Sequence, residues 1–112
     1  MSDRGAAKEL KITKKIFTDT AKRRQLNGTI ATGSTPITIY SGRFTARSFI
    51  ISNPTAGSIT FQILDGTTTL VSGTISANGI WNMSDADLPF YTSVIFNASA
   101  ATVIFTSGGF VP

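Results

Sequence analysis

The chain has 112 residues, the size of one domain, and 41% of them are hydrophobic, so a small packed core is expected. Histidine and cysteine are both absent. Their absence excludes disulfides, thiolate and imidazole metal sites, and nucleophilic sites of the Ser-His-Asp or Cys-His kind. We therefore expect a protein that is not an enzyme and that uses neither a cofactor nor a metal.

Charge is unevenly distributed along the chain. Residues 1–27 contain eight basic and three acidic residues, a net charge of +5, whereas residues 28–112 have a net charge of −1. This contrast predicts a basic N-terminal arm over residues 1–27 and a nearly neutral domain over residues 28–112. Under this boundary, deletion of residues 1–27 would leave a folded domain that no longer attaches to its assembly. Because the domain carries so few charges, we expect it to be a subunit of an assembly and not a free monomer.

The candidate partner-binding residues are the cations and the apolar side chains of the arm. They are Arg4, Lys8, Leu10, Lys11, Ile12, Lys14, Lys15, Ile16, Phe17, Lys22, Arg23 and Arg24. Their spacing fits a strand or a helix, so the local structure stays open. The arm could be a solvated tail, a strand packed on its own domain, a segment ordered on an acidic protein surface, or a nucleic-acid binder. The apolar side chains favour the protein surface, because phosphate binding does not need them.

From residue 28 onward, short β-type runs are separated by turn residues. None of the connections is long enough for the crossover helix that parallel strands require. The regular spacing predicts an all-β, small antiparallel β-sandwich, jelly-roll-like, of about seven to eight strands. The predicted strands cover residues 37–40, 44–52, 58–63, 67–76, 80–83, 90–97 and 102–106, and Gly108-Gly109 ends the pattern.

One hairpin is predicted in more detail. Ile59, Phe61 and Ile63 alternate with polar residues, and Asp65-Gly66 is a strong signal for a two-residue turn. We expect this hairpin at the centre of the domain, with the three apolar side chains pointing inward.

Three apolar residues fall on the outer side of strands whose inner side is also apolar. Leu64 follows Ile63, while Ile95 and Ile104 each lie between two other apolar residues. An outer face normally meets water, so this pattern predicts that neighbouring subunits cover part of the surface.

Other binding sites are weakly indicated. Asp85 and Asp87 share a polar loop, but they are too few to form a calcium site or an assignable glycosidase pair. Trp81, beside this loop, is the best aromatic for a surface contact and would serve a carbohydrate-binding sandwich. Residues 88–112 are uncharged but interrupted by polar residues, and no apolar N-terminal stretch resembles a signal peptide, so no membrane association is expected.

Residues 49–66 read FIISNPTAGSITFQILDG, and they are followed by ISANG at 75–79 and LPFYTSVIFN at 88–97. This order of strand and turn segments resembles that of the small β-sandwich structural proteins of tailed bacteriophages. The resemblance covers residues 44–107, leaves out the arm, and implies a virion component without catalytic residues, present in many symmetric copies.

On this resemblance, the expected function is a capsid decoration or cement protein that binds and stabilises the assembled head, within a virion assembled in the host cytoplasm. The expected partners are the major capsid protein or other virion proteins, together with further copies of the chain, a trimer being favoured. A head–tail, tail or baseplate protein of the same fold is the nearest alternative. A nucleic-acid-binding module that uses the arm is the alternative of another class, and nucleic acid is the less favoured partner.

Overall fold

The computed structural model describes residues 22–84 and 87–112, so the arm up to residue 21 lies outside the described residues. The described residues form nine β-strands, and every strand pair is antiparallel. The strands are β1 (Lys22–Thr29), β2 (Ile37–Ser41), β3 (Phe44–Ser52), β4 (Ile59–Asp65), β5 (Thr68–Ile75), β6 (Ile80–Met83), β7 (Leu88–Phe90), β8 (Ser93–Ala98) and β9 (Ile104–Val111). Within these ranges, no helix is long and apolar enough to cross a membrane.

The strands form two sheets. Sheet A has the order β1-β9-β3, and both β6 and β7 pair with β3 at its free edge. Sheet B has the order β2-β8-β4-β5. When β6 and β7 are counted as one interrupted strand, this is the arrangement of an eight-stranded jelly roll. The predicted all-β, jelly-roll-like sandwich is confirmed.

Phenylalanine rings fill the space between the sheets. Phe96 on β8 of sheet B stacks on Phe105 on β9 of sheet A, with ring centroids 5.0 Å apart. Phe49 on β3 extends this contact, with its ring centroid 5.9 Å from that of Phe105. Each buried phenylalanine contributes roughly 2 kcal/mol through apolar burial, so these contacts hold the two sheets together. The buried phenylalanines are Phe44, Phe49, Phe61, Phe90, Phe96 and Phe105.

The predicted hairpin is present as β4 and β5, but its turn is shifted by one residue: Asp65 pairs with Thr68, so the two turn residues are Gly66 and Thr67 and not Asp65 and Gly66. Gly66 has a φ of +59° at the first central position of a two-residue turn, which is typical of a type II′ turn. Ile59, Phe61 and Ile63 are buried, as predicted. The expected position was wrong, however, because among the described strands β5 pairs with β4 alone and the hairpin forms an edge of sheet B.

The predicted boundary between arm and domain falls inside strand β1. Residues 22–29 pair with β9 from Lys22↔Val111 to Thr29↔Ile104, and Leu26 is buried in the core. Residues 22–27 therefore belong to the sandwich, and a deletion ending at residue 27 would remove an edge strand. This role is difficult to predict from the sequence of β1, because seven of its eight residues are exposed or half-buried and only Leu26 marks a buried face.

Strand β9 continues through the glycine pair that was predicted to end the pattern. Its last residue is Val111, and it lies between β1 and β3. A Cβ atom at Gly109 would overlap the carbonyl oxygen of Thr45 and would lie 2.7 Å from the ring of Phe44. Glycine is therefore required here by the close approach of β3 and not by a turn.

The predicted strand over residues 90–97 is two strands in different sheets. The chain leaves sheet A after Phe90 and enters sheet B at Ser93. The carboxylate of Asp65 accepts hydrogen bonds from the backbone N–H groups of Tyr91 (3.0 Å), Thr92 (2.8 Å) and Ser93 (3.2 Å). The N–H of Tyr91, helped by the other two and opposed by slight burial, holds the pKa of Asp65 below its ordinary value.

We predict that Asp65→Asn lowers the free energy of unfolding near neutral pH by about 1 kcal/mol, a modest loss because the site is solvent-accessible. A lowered folded-state pKa gives stability that is present above the unfolded value of 3.8 and is lost as pH falls through the folded value. The difference between the natural chain and the variant should therefore be constant above that pH and shrink below it. Thermal unfolding across a pH series measures it, and a difference that grows on acidification would contradict the account.

Asn53 ties the loop between β3 and β4 to the turn between β5 and β6. It is 1% exposed. Its Nδ2 donates to the carbonyl oxygens of Gly57 (2.9 Å), Ile75 (3.2 Å) and Ser76 (2.9 Å). Its Oδ1 accepts from the N–H (3.0 Å) and the hydroxyl (2.6 Å) of Thr55. Both ends of the amide are therefore in use.

Asn53→Asp should lower the free energy of unfolding by about 3 kcal/mol, because a carboxylate oxygen, which cannot donate, would face three carbonyl oxygens, of which that of Ile75 is buried and those of Gly57 and Ser76 are partly buried. Asn27→Asp is the matched control, since Asn27 is exposed on β1. Urea denaturation of both variants measures the effect. Equal losses in the two variants would show that the Asn53 amide does not hold the loops together.

Candidate functional site

The outer face of sheet A combines positive charge at one end with apolar side chains at the other. Register determines which side chains share this face. Gln25, Gly108 and Ser48 lie side by side across β1, β9 and β3, and Asn27, Thr106 and Ile50 form the next row. Uncharged, mostly small residues thus occupy the middle of the face.

All five basic residues of the described chain lie at one end of sheet A. Lys22, Arg23 and Arg24 begin β1, which runs antiparallel to the end of β9. Arg43 directly precedes β3, and Arg47 lies at an irregularity in its register between Ala46 and Ser48. A bulge of this kind redirects a side chain, so β3 adds a cation to those of β1.

A groove of about 670 Å³ is lined by three of these cations, Arg23, Arg24 and Arg47. Gly108, Gly109 and Phe110 of β9 also line the groove, and the two glycines add no side chain to it. Arginines present planar donors that suit carboxylates and phosphates, so the groove can bind an anionic group. Its lining residues include Arg23, Arg24, Gln25, Arg47, Ser48 and Ser84.

Two of the groove arginines already have partners within the chain. Arg47 Nε lies 3.3 Å from Asp87 Oδ1, and the Arg47 and Asp87 side chains are 49% and 76% exposed respectively. The guanidinium carbon of Arg24 lies 4.8 Å from the centre of the Tyr40 ring in sheet B. An exposed ion pair contributes little stability, so an incoming anion can displace Asp87 from Arg47 at low cost.

Three exposed isoleucines form an apolar cluster at the other end of the face. Ile50 is 49% exposed, Ile80 65% and Ile104 41%. Ile80 and Ile104 both pair with Ser52 on β3, two residues from Ile50, so each is a diagonal neighbour of Ile50. We call these three residues the isoleucine cluster.

The structure brings together only part of the predicted partner-binding set. Lys22, Arg23 and Arg24 lie on β1 at the cationic end of sheet A, and all three are exposed. The other predicted residues lie outside the described residues. They are Arg4, Lys8, Leu10, Lys11, Ile12, Lys14, Lys15, Ile16 and Phe17.

Sequence reasoning missed Ile50 and Ile80, although it found Ile104. The doubly apolar run Phe49-Ile50-Ile51 in β3 was the available signal for Ile50. The other two predicted outer residues, Leu64 and Ile95, are half-buried and pair with each other across β4 and β8.

The weaker sequence candidates do not converge on one site. The ring of Trp81 packs against the buried ring of Phe61, with centroids 5.0 Å apart. Asp87 pairs with Arg47, whereas Asp85 lies outside the described residues. In the described parts of the chain, no group of three or more acidic residues could hold a metal ion.

A second groove, of about 340 Å³, lies on the outer face of sheet B and has a polar lining. Gln62 pairs with Ser72 on β5 and with Asn97 on β8, so the three side chains cross the groove in one row. Asn97 Oδ1 is buried and has no hydrogen-bond partner among the residues that the structure describes. This oxygen can accept a hydrogen bond from a hydroxyl or amide donor.

Comparisons with known proteins assign the chain to no family. No protein-family model matches it, and no curated protein matches it. Among solved structures, it is similar to one described as "Bacillus endospore appendages form a novel family of disulfide-linked pili", with 13% identity, a TM-score of 0.47, and coverage of 83% of this chain and 90% of that chain. It is also similar to PirA, with 16% identity, a TM-score of 0.39, and coverage of 83% and 94% respectively. Neither description mentions a bacteriophage, so the predicted phage origin stays a prediction.

We predict that Asp87→Asn strengthens binding of a sulphated polymer at the groove, because it frees Arg47, while stability changes by less than about 0.5 kcal/mol. The measurement is the salt concentration needed to elute each variant from immobilised heparin. Gln62→Lys is the control, since it changes net charge by the same amount on the opposite sheet. Equal shifts in the two variants would mean that retention on heparin depends on net charge and not on the groove.

Proposed function

We propose that the chain is a structural component of a bacteriophage virion, and specifically a capsid decoration protein that binds and stabilises the assembled head. Jelly rolls occur in viral capsid proteins and also in lectins, so the fold alone does not choose between functions. The observation that supports the proposal is the isoleucine cluster on a face whose centre is uncharged. The resemblance of residues 44–107 to phage sandwich proteins supports it independently.

Burial of the isoleucine cluster against another protein would favour binding. A β-branched side chain that passes from water to a protein contact contributes roughly 1–2 kcal/mol, depending on the area buried. One such contact is weak, but a shell offers the same contact at every symmetry-related position. Chains that are linked to one another then bind many times more tightly than a single copy.

The arm is proposed to add a second contact to the same shell. Residues 1–21 combine lysines with Leu10, Ile12, Ile16 and Phe17. An acidic protein surface with apolar depressions would satisfy both kinds of side chain, whereas a nucleic-acid backbone would use the charge alone. The arm and the isoleucine cluster thus suit the same class of partner.

A nucleic-acid-binding module is the second candidate, and the cationic groove favours it. The groove places Phe110 beside Arg23, its partner in the strand register. Aromatic and cationic side chains in one groove are the usual means of holding a single strand. This function would use the cationic end of sheet A and leave the isoleucine cluster unused.

The test of the proposed function is attachment to particles. Particles purified from the source culture on a density gradient should carry the chain, and particles stripped of it should bind the purified protein again. Ile50→Ser and Ile104→Ser together should weaken rebinding, because the apolar contact is lost. Thr106→Ser, on the same face and in the row of Ile50, is the matched control.

A salt titration separates the two candidates. Binding to particles through apolar contacts should weaken with salt but persist in part, because apolar burial is not screened. Binding to single-stranded DNA should instead fall steeply, in proportion to the phosphates neutralised. Absence of the chain from particles, together with tight DNA binding, would replace the first candidate with the second.

A further inference from the structure

The four sheet edges of the sandwich differ in how they are protected. An edge strand presents unpaired N–H and C=O groups, and proteins usually blunt it with charge, proline, a bulge or a covering element. At the edges of sheet A, β1 carries Lys22, Arg23 and Arg24, while the opposite edge is divided into two short strands and contains Pro89. Both edges of sheet A are therefore protected.

In sheet B, β2 is protected, whereas β5 has no such protection from any of the described residues. Strand β2 has five residues, its register is broken between Thr38 and Tyr40, and Arg24 of β1 lies over the Tyr40 ring. Strand β5 has eight residues with no charge and no proline. Its one irregularity leaves Leu70 unpaired near the turn, so residues 71–75 form a regular, uncharged edge.

We propose that β5 pairs with β5 of a second copy of this chain, antiparallel and centred on Gly73, so that sheet B continues from one copy into the other. A two-fold contact needs a strand that is complementary to itself. Centred on Gly73, the pairing places Ser72 of one copy opposite Thr74 of the other, and both residues are exposed. No charged pair would meet across the contact.

The distribution of charge favours this edge over the others. The basic residues of β1 lie next to β2, which is three strand spacings, or roughly 14 Å, from β5. That distance exceeds the screening length of about 10 Å at ordinary salt. Two copies can therefore meet through β5 without bringing the cations of their β1 strands together, whereas a contact between two β1 strands would bring six basic residues together.

The proposed function includes self-association, and the β5 contact is one surface through which it would occur. The β5 contact can be disproved without disproving attachment to particles. Sedimentation velocity of the purified full chain over a concentration series should show a species of twice the 11.9 kDa chain mass. Ser72→Lys should weaken this association by about five-fold or more, because the two introduced lysines would be diagonal neighbours on the same face of the strand pair and would repel each other. Gln62→Lys is the control, since Gln62 pairs with Ser72 but lies on the inner strand β4.

Cysteine substitution tests the register, because the natural chain has no cysteine. Under oxidation, a mixture of Ser72→Cys and Thr74→Cys chains should form cross-linked dimers faster than either chain alone or a mixture containing Gln62→Cys. A monomer at all concentrations, a trimer unaffected by Ser72→Lys, or equal cross-linking in all mixtures would overturn the proposal. Particle attachment that survives Ser72→Lys would leave the proposed function intact, and the β5 contact would still be decided by the sedimentation and cross-linking results.

Discussion

The stacking of Phe96 on Phe105 between the two sheets is the contact on which the rest of the structure depends. It joins β8 of sheet B to β9 of sheet A near the middle of both sheets. Once these rings face inward, the two-residue period of each strand decides which neighbours face outward. The isoleucine cluster, the uncharged centre of sheet A and the polar row at Gln62 all follow from that alternation.

Much of the fold could be predicted from the sequence because local signals and the core agree. Ile59, Phe61 and Ile63 alternate cleanly, and Gly66 permits the positive φ that the turn requires. Predictions from local sequence signals were wrong where tertiary contacts determine the structure. Gly109 resembles a strand end but lies within β9, because β3 leaves no room for a side chain there. The three cations at the start of β1 resemble a solvated tail, but edge strands tolerate such charge and are protected by it.

The candidate site could be predicted only in part, since it depends on strand order. Arg23 and Arg47 are far apart in sequence and become neighbours because β9 lies between β1 and β3. Nothing in the spacing of these residues indicates that order. The same holds for Ile50, Ile80 and Ile104, which come from three strands and meet across Ser52. The unprotected edge at β5 is also a property of the completed sheet, since the sequence of β5 does not say whether both of its sides are paired.

The account depends most on the claim that the outer face of sheet A meets other proteins in an assembly. A cryo-electron microscopy map of particles carrying the chain tests this most directly. We expect repeated copies at symmetry-related positions, with Ile50, Ile80 and Ile104 buried against a neighbouring protein. A map in which these three side chains face solvent, while Arg23 and Arg47 contact nucleic acid, would contradict it.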